Sequence, residues 1–165
     1  METPAKQVAI VTGGGSGIGL AIAQKFCQSG MQTIIIGRDA VKLEKAKTEL
    51  GADCFTYCFD LGNLSAIPEL VENIVQQFGQ IDVLVNNAGI AISFVPAENM
   101  DDATWHKVID VNLNGVFYCC RSFGKAMLEQ NSLQGVGGSP EDLKAFIDGE
   151  RAKWRPVIEA AKITM

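Results

Sequence analysis

The sequence contains one histidine, His106, and five cysteines, and no two cysteines form a C-x-x-C pair. Zinc sites are built mainly from histidine and cysteine at short spacings, so this shortage excludes the common zinc motifs and predicts no metal site. An odd number of cysteines also gives no disulfide framework. Reduced thiols that pack as small apolar side chains are the simpler interpretation, and they predict a cytoplasmic protein.

Long apolar runs and an excess of positive charge are also missing. No stretch approaches the roughly 18 apolar residues of a membrane-spanning helix, and residues 1–7 lead directly into a strand-like run without the pattern of a signal peptide. Lysine and arginine number 14 against 19 aspartates and glutamates, a formal net charge of −5. This balance argues against a nucleic-acid partner, as the lack of a long apolar run argues against a membrane partner, and it leaves room for a local basic spot that binds a phosphate.

The chain does contain a regular alternation of strand and helix patterns. Apolar runs predict strands over residues 7–12, 33–36, 53–59 and 81–85, and segments with helical spacing lie between them at 18–29, 40–50 and 65–78. A glycine follows each of these helices, as is typical of helix ends. The repeated β–α order predicts an α/β fold with a parallel sheet, right-handed crossovers and helices on both faces.

The pattern changes after residue 89. Residues 101–130 predict one long helix with a bend near Asn112, where Gly115 and β-branched neighbours interrupt the pattern. A glycine-rich linker over 131–139 follows, and Ser139-Pro140 then favours the start of an amphipathic C-terminal helix over 140–165. With 165 residues, 47% of them hydrophobic, we expect the whole chain, 1–165, to form a single domain.

The turn between the first strand and the first helix is rich in glycine. Residues 12–19 read TGGGSGIG, which has the form TGxxxGxG. Glycine adopts the positive φ angles that a tight turn requires, and it lets a diphosphate approach the backbone N–H groups of the helix start. The general fingerprint GxGxxG is not matched, and the absence of GK[ST] excludes a P-loop. A glycine-rich connector without a ligand is the alternative.

Three further motifs follow this turn in order. They are Asp60-Leu61 after the third strand, Asn86-Asn87-Ala88-Gly89 after the fourth, and Asn112 within the long helix. Together with the glycine-rich turn they resemble the short-chain dehydrogenase/reductase family over residues 5–130. The resemblance implies a Rossmann-like, doubly wound parallel sheet with four strands in the order 3-2-1-4, and an oxidoreductase ancestry.

The resemblance also implies a role for each matching residue. The diphosphate of a dinucleotide would contact Gly13, Ser16, Gly17, Ile18 and Gly19. The adenine would contact Asp60 and Leu61. The adenine ribose and the nicotinamide side would contact Asn87, Ala88 and Gly89. Asn112 matches the family's catalytic asparagine, which kinks its helix and holds a water in a proton relay. A sheet-stabilising hydrogen-bonding pair is a compatible interpretation of Asn86 and Asn87. Family members also often form dimers through the helix that corresponds to 101–130.

The choice of cofactor depends on the residues at the end of the second strand, which read Gly37-Arg38-Asp39. An acidic residue there would bind the ribose 2′-OH of NAD, whereas a nearby arginine would accept the 2′-phosphate of NADP. Gly37 occupies the position of the acid, and Arg38 follows it. We therefore expect NADP rather than NAD, with a merely solvated Arg38 as the alternative and Asp39 as a helix cap.

The family's catalytic serine and YxxxK pair are missing from these 165 residues. Tyr57 is followed four positions later by Leu61, and Tyr118 by Ser122. The tyrosine is the family's general acid/base, so Asn112 is expected to be vestigial. We predict an NADP-binding module without oxidoreductase turnover. The alternatives are a chimeric scaffold that binds nothing and an NADP-dependent oxidoreductase completed by a partner chain.

Residues 131–165 carry a resemblance of their own. The segments 137–143 and 146–147 and the pair Lys153-Trp154 are similar to the C-terminal helix of tripartite tricarboxylate transporter substrate-binding proteins. An ordinary amphipathic terminal helix is the alternative. Two unrelated families joined at a helix end predict an engineered chimera, a de novo protein, with a natural gene fusion as the other origin.

Overall fold

Strands and helices alternate along the part of the chain that the structure, a computed structural model, describes: residues 6–91 and 95–130, together with Lys144, Asp148 and Gly149. The strands are β1 (Val8–Thr12), β2 (Gln32–Gly37), β3 (Cys54–Cys58) and β4 (Val83–Val85). The helices are α1 (Gly17–Gln28), α2 (Ala40–Leu50), α3 (Ile67–Phe78), α4 (Asp102–Ile109) and α5 (Gly115–Gln130).

The four strands form one parallel sheet in the order β3-β2-β1-β4. β1 is buried along its whole length, and β2 is buried over residues 33–36. Because helices cover both faces of the two central strands, their sequences are unbroken Val- and Ile-rich runs rather than alternating patterns. The predicted Rossmann-like sheet of four strands in the order 3-2-1-4 is confirmed.

Alternate residues of the central strands enter two hydrophobic clusters, one on each face of the sheet. Ile10 and Ile34 belong to the cluster that α3 and α5 complete, in which Phe123 is fully buried. Val11 and Ile35 belong to the cluster that α1 and α2 complete. Neighbouring residues of a strand point to opposite faces, so this division gives the doubly wound arrangement that the sequence predicts.

The helix predicted over 65–78 begins later than expected. A 3₁₀ turn occupies Leu64–Ala66, and α3 starts at Ile67. The Ser65 hydroxyl donates to Asn63 Oδ1 at 3.2 Å and makes no capping bond to the helix. Pro68 lies in the first turn of α3, where a missing N–H leaves no hydrogen bond unmade.

The long helix predicted over 101–130 is interrupted by a π-helical turn, Asp110–Asn114, that joins α4 to α5. This turn contains Asn112 and confirms the predicted interruption. Gly115 directly follows it, and a Cβ at this position would lie 3.2 Å from the carbonyl oxygens of both Asp110 and Leu61. The glycine therefore allows the π turn to pack against the segment after β3.

The predicted linker over 131–139 and the predicted helix over 140–165 lie outside the described residues, apart from Lys144, Asp148 and Gly149, which are helical and exposed. The chain divides into two compact units, Met1–Asn131 and Ser132–Met165, and the sheet with its helices belongs to the first. None of the helices in the described ranges is both long and apolar enough to cross a membrane.

Candidate cofactor site

A cleft of about 450 Å³ opens where the chain leaves the carboxyl ends of the strands. Gly13 follows β1, Arg38 follows β2, Asp60 lies just beyond β3, and Ala88 lies beyond β4, and all four line the cleft. In an open parallel sheet this is the edge where ligands bind, at the point where the strand order reverses. The topology alone therefore brings together residues from four distant parts of the chain.

Seven of the eleven residues predicted to bind the cofactor line this cleft: Gly13, Ser16, Arg38, Asp60, Leu61, Ala88 and Gly89. Three others, Gly17, Ile18 and Gly19, form the first turn of α1, and Asn87 lies behind the glycine-rich turn. The sequence motifs thus converge on one site, with Asn87 in a supporting position.

Glycine is required in the turn for two separate reasons. Gly13 has a φ of +66°, and a Cβ there would lie 2.9 Å from Ala88 Cα. At Gly19 a Cβ would lie 2.3 Å from the carbonyl oxygen of Gly13, a distance that no side chain tolerates. Helix α1 consequently begins in direct backbone contact with the turn. The first N–H groups of a helix have no intrahelical acceptors, and such groups can bind a diphosphate.

Ser16 precedes α1 in an extended conformation, with φ −164° and ψ 165°, and its side chain makes no capping hydrogen bond. Ser16 is one of the residues that line the cleft. Ile18, in the first turn of α1, is 76% exposed, unusually high for a large apolar side chain. Both side chains therefore stand at the surface of the helix start rather than in the core.

Thr12 is a functional position that the sequence reasoning missed. Its hydroxyl donates to the carbonyl of Val85 at 3.2 Å and accepts the backbone N–H groups of Asn87 and Ala88, each at 3.0 Å. The Asn87 side-chain amide donates back to the Thr12 carbonyl at 2.9 Å. These hydrogen bonds fix the end of β1 to the end of β4, and Thr12 is only 1% exposed. In the sequence, the available signal was a polar residue at the end of an apolar strand.

Asn86 and Asn87 act mainly as structural residues in this arrangement. The Asn87 amide bonds the backbone of Thr12 and Gly13, at 2.9 and 3.3 Å, and the Asn86 amide donates to Cys120 Sγ at 3.2 Å. The sheet-stabilising interpretation drawn from the sequence agrees with these contacts. Ala88 and Gly89 line the cleft, whereas Asn86 and Asn87 do not.

Arg38, Asp39 and Lys42 form a charged group at one end of the cleft. Asp39 Oδ1 accepts the backbone N–H of Lys42 at 3.0 Å, which caps α2 as the sequence predicts. This hydrogen bond from the Lys42 backbone is the main reason that the pKa of Asp39 lies below its usual value. Lys42 was not predicted from the sequence, and its signal was a basic residue in the first turn of the helix after Arg38.

An apolar wall follows β3. Phe59 and Leu61 line the cleft together with Val111 of the π turn, and Leu61 is only 7% exposed. Between the first two, Asp60 Oδ1 accepts the backbone N–H of Gly62 at 2.9 Å and so fixes the turn that carries this wall. A flat aromatic ring system can pack against such a surface.

Asn112 holds the segment that follows β4. Its Oδ1 accepts the backbone N–H of Ile90, and its Nδ2 donates to the carbonyl of Ile90, both at 2.8 Å. Both polar ends of the side chain are thus used to position a residue that lines the cleft. Asn112, which matches the family's catalytic asparagine and is expected to be vestigial, therefore holds Ile90 through both of its polar atoms in this structure.

Neither tyrosine lies at the cleft. Tyr57 Oη donates to Gln77 Oε1 at 2.8 Å, and burial raises the pKa of this phenol. The ring of Tyr118 lies under the guanidinium of Arg121, 4.3 Å from its centroid. Among the residues that the structure describes, no group of three or more His, Cys, Asp or Glu side chains could hold a metal ion.

A parallel sheet in the order β3-β2-β1-β4, with a glycine-rich turn at the cleft above its carboxyl edge, defines a dinucleotide-binding domain of the Rossmann type. The chain belongs to the short chain dehydrogenase family, whose model matches residues 7–136. This confirms the family that the sequence motifs indicate.

Two solved structures and one curated relative illustrate the similarity. The chain is 37% identical over 124 residues to the NADP-dependent 3-hydroxy acid dehydrogenase YdfG of Salmonella typhi, a match that covers 75% of this chain and 50% of the relative. The crystal structure of a metagenomic short-chain oxidoreductase in complex with NADP has a TM-score of 0.71 at 36% identity, and the match covers 74% of this chain and 57% of that one.

The crystal structure of a 3-ketoacyl-(acyl-carrier-protein) reductase from Brucella melitensis complexed with NADH has a TM-score of 0.72 at 30% identity, with 76% of this chain and 52% of that chain covered. Neighbours of this fold thus include complexes with either cofactor. The chain spans about half the length of the curated relatives it matches.

Proposed function

We propose that the chain binds NADP in the cleft, as the cofactor-binding half of a short-chain dehydrogenase. The observation that carries this proposal is the presence of the glycine-rich turn and Arg38 on the walls of one cleft. The diphosphate would lie against Gly13, Ser16 and the first N–H groups of α1, over Gly17, Ile18 and Gly19. The adenine would pack against Leu61 beside Asp60. The adenine ribose would lie against Ala88 and Gly89, with Asn87 behind them, and these residues would be near the nicotinamide side.

The preference for NADP over NAD rests on the end of β2. Gly37 carries no carboxylate for a ribose 2′-OH, and the carboxylate of Asp39 is engaged at the start of α2. The Arg38 guanidinium makes no ion pair with any side chain in the described ranges. An unpaired cation at this edge suits a 2′-phosphate better than a hydroxyl.

The test is a calorimetric titration of the 165-residue chain and its Arg38→Ala variant with NADP, NAD and 2′,5′-ADP. We expect a Kd of about 0.1–1 mM for NADP, weaker binding of NAD, and similar binding of 2′,5′-ADP and NADP. Arg38→Ala should remove most of the difference between NADP and NAD. Equal affinities in the wild type would make Arg38 a solvated surface charge, and no binding would favour a scaffold without a ligand.

We infer that this chain, tested by itself, does not turn over a substrate. The Tyr57 hydroxyl is bonded to Gln77, and the Tyr118 ring packs under Arg121, so neither is available at the cleft. Asn112 then serves to position Ile90 rather than to transfer protons. An oxidoreductase whose tyrosine and lysine come from a partner chain is the alternative.

We also propose that residues 131–165 have a separate origin, as an engineered chimera with a helix of the transporter-binding type. The family match ends at residue 136, so most of this segment lies beyond it, which supports the proposal. Five free cysteines, none of them in a disulfide, support residence in the reducing cytoplasm.

We propose further that the chain forms homodimers through the 101–130 segment. Leu113 and Phe117 expose 61% and 59% of their surface there, one helical turn apart, which supports an apolar contact. Sedimentation analysis of the wild type and of the Phe117→Ser variant tests this proposal. We expect the wild type to be a dimer and the variant to be a monomer, and a monomeric wild type would contradict the proposal.

A further inference from the structure

Two charged residues beside Arg38 also line the cleft and have no role yet in the proposed NADP site. Arg38, Asp39 and Lys42 all line it, so two cations stand beside one carboxylate. Lys42 approaches that carboxylate twice, with its backbone N–H 3.0 Å from Asp39 Oδ1 and its Nζ 3.6 Å from Asp39 Oδ2. The Arg38 guanidinium has no ion-pair partner in the described part of the chain.

The carboxylate of Asp39 is a difficulty for a phosphate at this place. A phosphomonoester carries about −1.5 to −2 charges at neutral pH, so an anion on the same wall opposes its binding. The hydrogen bond from the Lys42 backbone lowers the pKa of Asp39, which keeps the carboxyl ionised. Asp39 is also the N-cap of α2, so the fold retains this negative charge.

We propose that Lys42 is a second determinant of NADP selectivity, which neutralises Asp39 and contributes a direct contact to the 2′-phosphate. This inference rests on the proposed binding of NADP in the cleft. Lys42 gives the group a net charge of +1 in place of zero. Arg38 then supplies the planar, bidentate contact, and Lys42 supplies a mobile point charge.

The geometry leaves Lys42 free to make that contact. The separation of 3.6 Å between Nζ and Oδ2 is longer than the 2.7–2.9 Å of a strong charge-assisted hydrogen bond. The Lys42 side chain is 66% exposed, and its helix position fixes only the backbone end. Its ammonium can therefore turn from Asp39 to a bound phosphate without a change in the fold, and its removal should cost the fold little because exposed ion pairs contribute little to stability.

The experiment compares two ligands that differ by one phosphate, 2′,5′-ADP and 5′-ADP, by titration against the full chain. The variants are Lys42→Met, Asp39→Asn, Arg38→Ala and Lys45→Met. Lys45 is the matched control because it is an exposed lysine of the same helix that does not line the cleft. Thermal unfolding of each variant checks that the fold is retained.

Lys42→Met should weaken the binding of 2′,5′-ADP by about 3–10-fold and change that of 5′-ADP by less than about twofold, because only the former carries the 2′-phosphate. Lys45→Met should change neither. Asp39→Asn keeps a capping oxygen but loses the charge, so it should strengthen 2′,5′-ADP binding by about 2–5-fold.

Two failures are distinguishable. If Arg38→Ala weakens 2′,5′-ADP binding but Lys42→Met behaves like Lys45→Met, the proposal for Lys42 is overturned and NADP binding stands. If the wild-type chain binds neither nucleotide at millimolar concentrations, the proposed cofactor function is overturned, and the role of Lys42 with it.

Discussion

Hydrogen bonds of Thr12 and Asn87 join the end of β1 to the end of β4 at the edge of the cleft. The Thr12 hydroxyl serves one acceptor and two backbone donors, and it is almost completely buried. Buried donors that lose their acceptor cost more free energy than the net contribution of a hydrogen bond, because they were desolvated on folding. The site therefore depends on a side chain that need not touch the ligand.

Thr12→Val should lower the free energy of unfolding by about 2–3 kcal/mol, because it retains the shape of the side chain and leaves the N–H groups of Asn87 and Ala88 without an acceptor. Urea unfolding measures the change. Thr48→Val is the matched control, since the Thr48 hydroxyl bonds the carbonyl of Glu44 on an exposed helix surface. A loss no larger than that of the control would contradict the role given to Thr12.

The cysteines differ sharply in their surroundings. Burial raises the pKa of both Cys54 and Cys119 to about 12, whereas Cys58 and Cys120 are exposed. The thiolate is the reactive form, so an aromatic disulfide reagent at pH 8 should modify Cys58 and Cys120 rapidly and the two buried thiols only after unfolding. Mass spectrometry of the modified peptides identifies the sites.

The two buried thiols contribute a pH dependence to the stability, in the same direction as the Tyr57 phenol, whose pKa burial also raises. The pKa values of Cys54 and Cys119 in the folded state lie above the unfolded value of about 8.5, so the folded state binds more protons at alkaline pH. The free energy of unfolding should therefore decrease as the pH rises from about 9 towards 12. Replacing the exposed Cys58 and Cys120 with serine should leave this profile unchanged, and a profile that is flat in both proteins would show the assignment to be wrong.

At the scale of elements, the turn between β1 and α1 sets the geometry of the cleft. Gly19→Ala should lower the free energy of unfolding by at least about 3 kcal/mol, because its Cβ would lie 2.3 Å from the Gly13 carbonyl oxygen. Gly15→Ala is the control in the same turn. Its Cβ would meet Leu43 Cδ2 at 3.5 Å, an ordinary contact, so stability should change by less than about 1 kcal/mol. Similar effects of both substitutions would contradict this account.

The sequence predicted the elements that a local pattern of residues determines. β1 and β2 were identifiable because strands covered on both faces are continuous apolar runs, and the glycines because a close backbone approach requires them. The start of α3 was misplaced because a preceding 3₁₀ turn occupies Ser65. The ties of Thr12 to Asn87 and of Asn112 to Ile90 span 75 and 22 positions of sequence, so no local pattern contains them.

Lys42 was missed for a related reason. A lysine on the surface of a helix is ordinary in sequence, so its place in the first turn of the helix after Arg38 was a weak signal. In the fold, α2 begins directly after the end of β2, and Lys42 and Arg38 line the same cleft. The class of the site was therefore predictable from motifs, whereas the full set of charges around it required the fold.

For the whole molecule, the proposed function predicts that the chain binds NADP without turning over a substrate. NADPH oxidation with simple ketones should stay at background for the 165-residue chain, because general acid–base catalysis contributes roughly 10²- to 10⁴-fold and neither tyrosine reaches the cleft. The measurement follows NADPH absorbance over hours with a ketone present. Steady oxidation that Asn112→Ala abolishes would overturn the assignment of Asn112 as a positioning residue.

The most direct test of the central claim is amide chemical-shift mapping by NMR during a titration with NADP. We expect the largest shifts at Gly13, Gly17, Arg38 and Gly89, around the carboxyl ends of the strands, and saturation with a Kd in the range of about 0.1–1 mM. Shifts that cluster instead around Glu72 and Gln76, on the exposed surface of α3, or no shifts at millimolar NADP, would contradict the central claim.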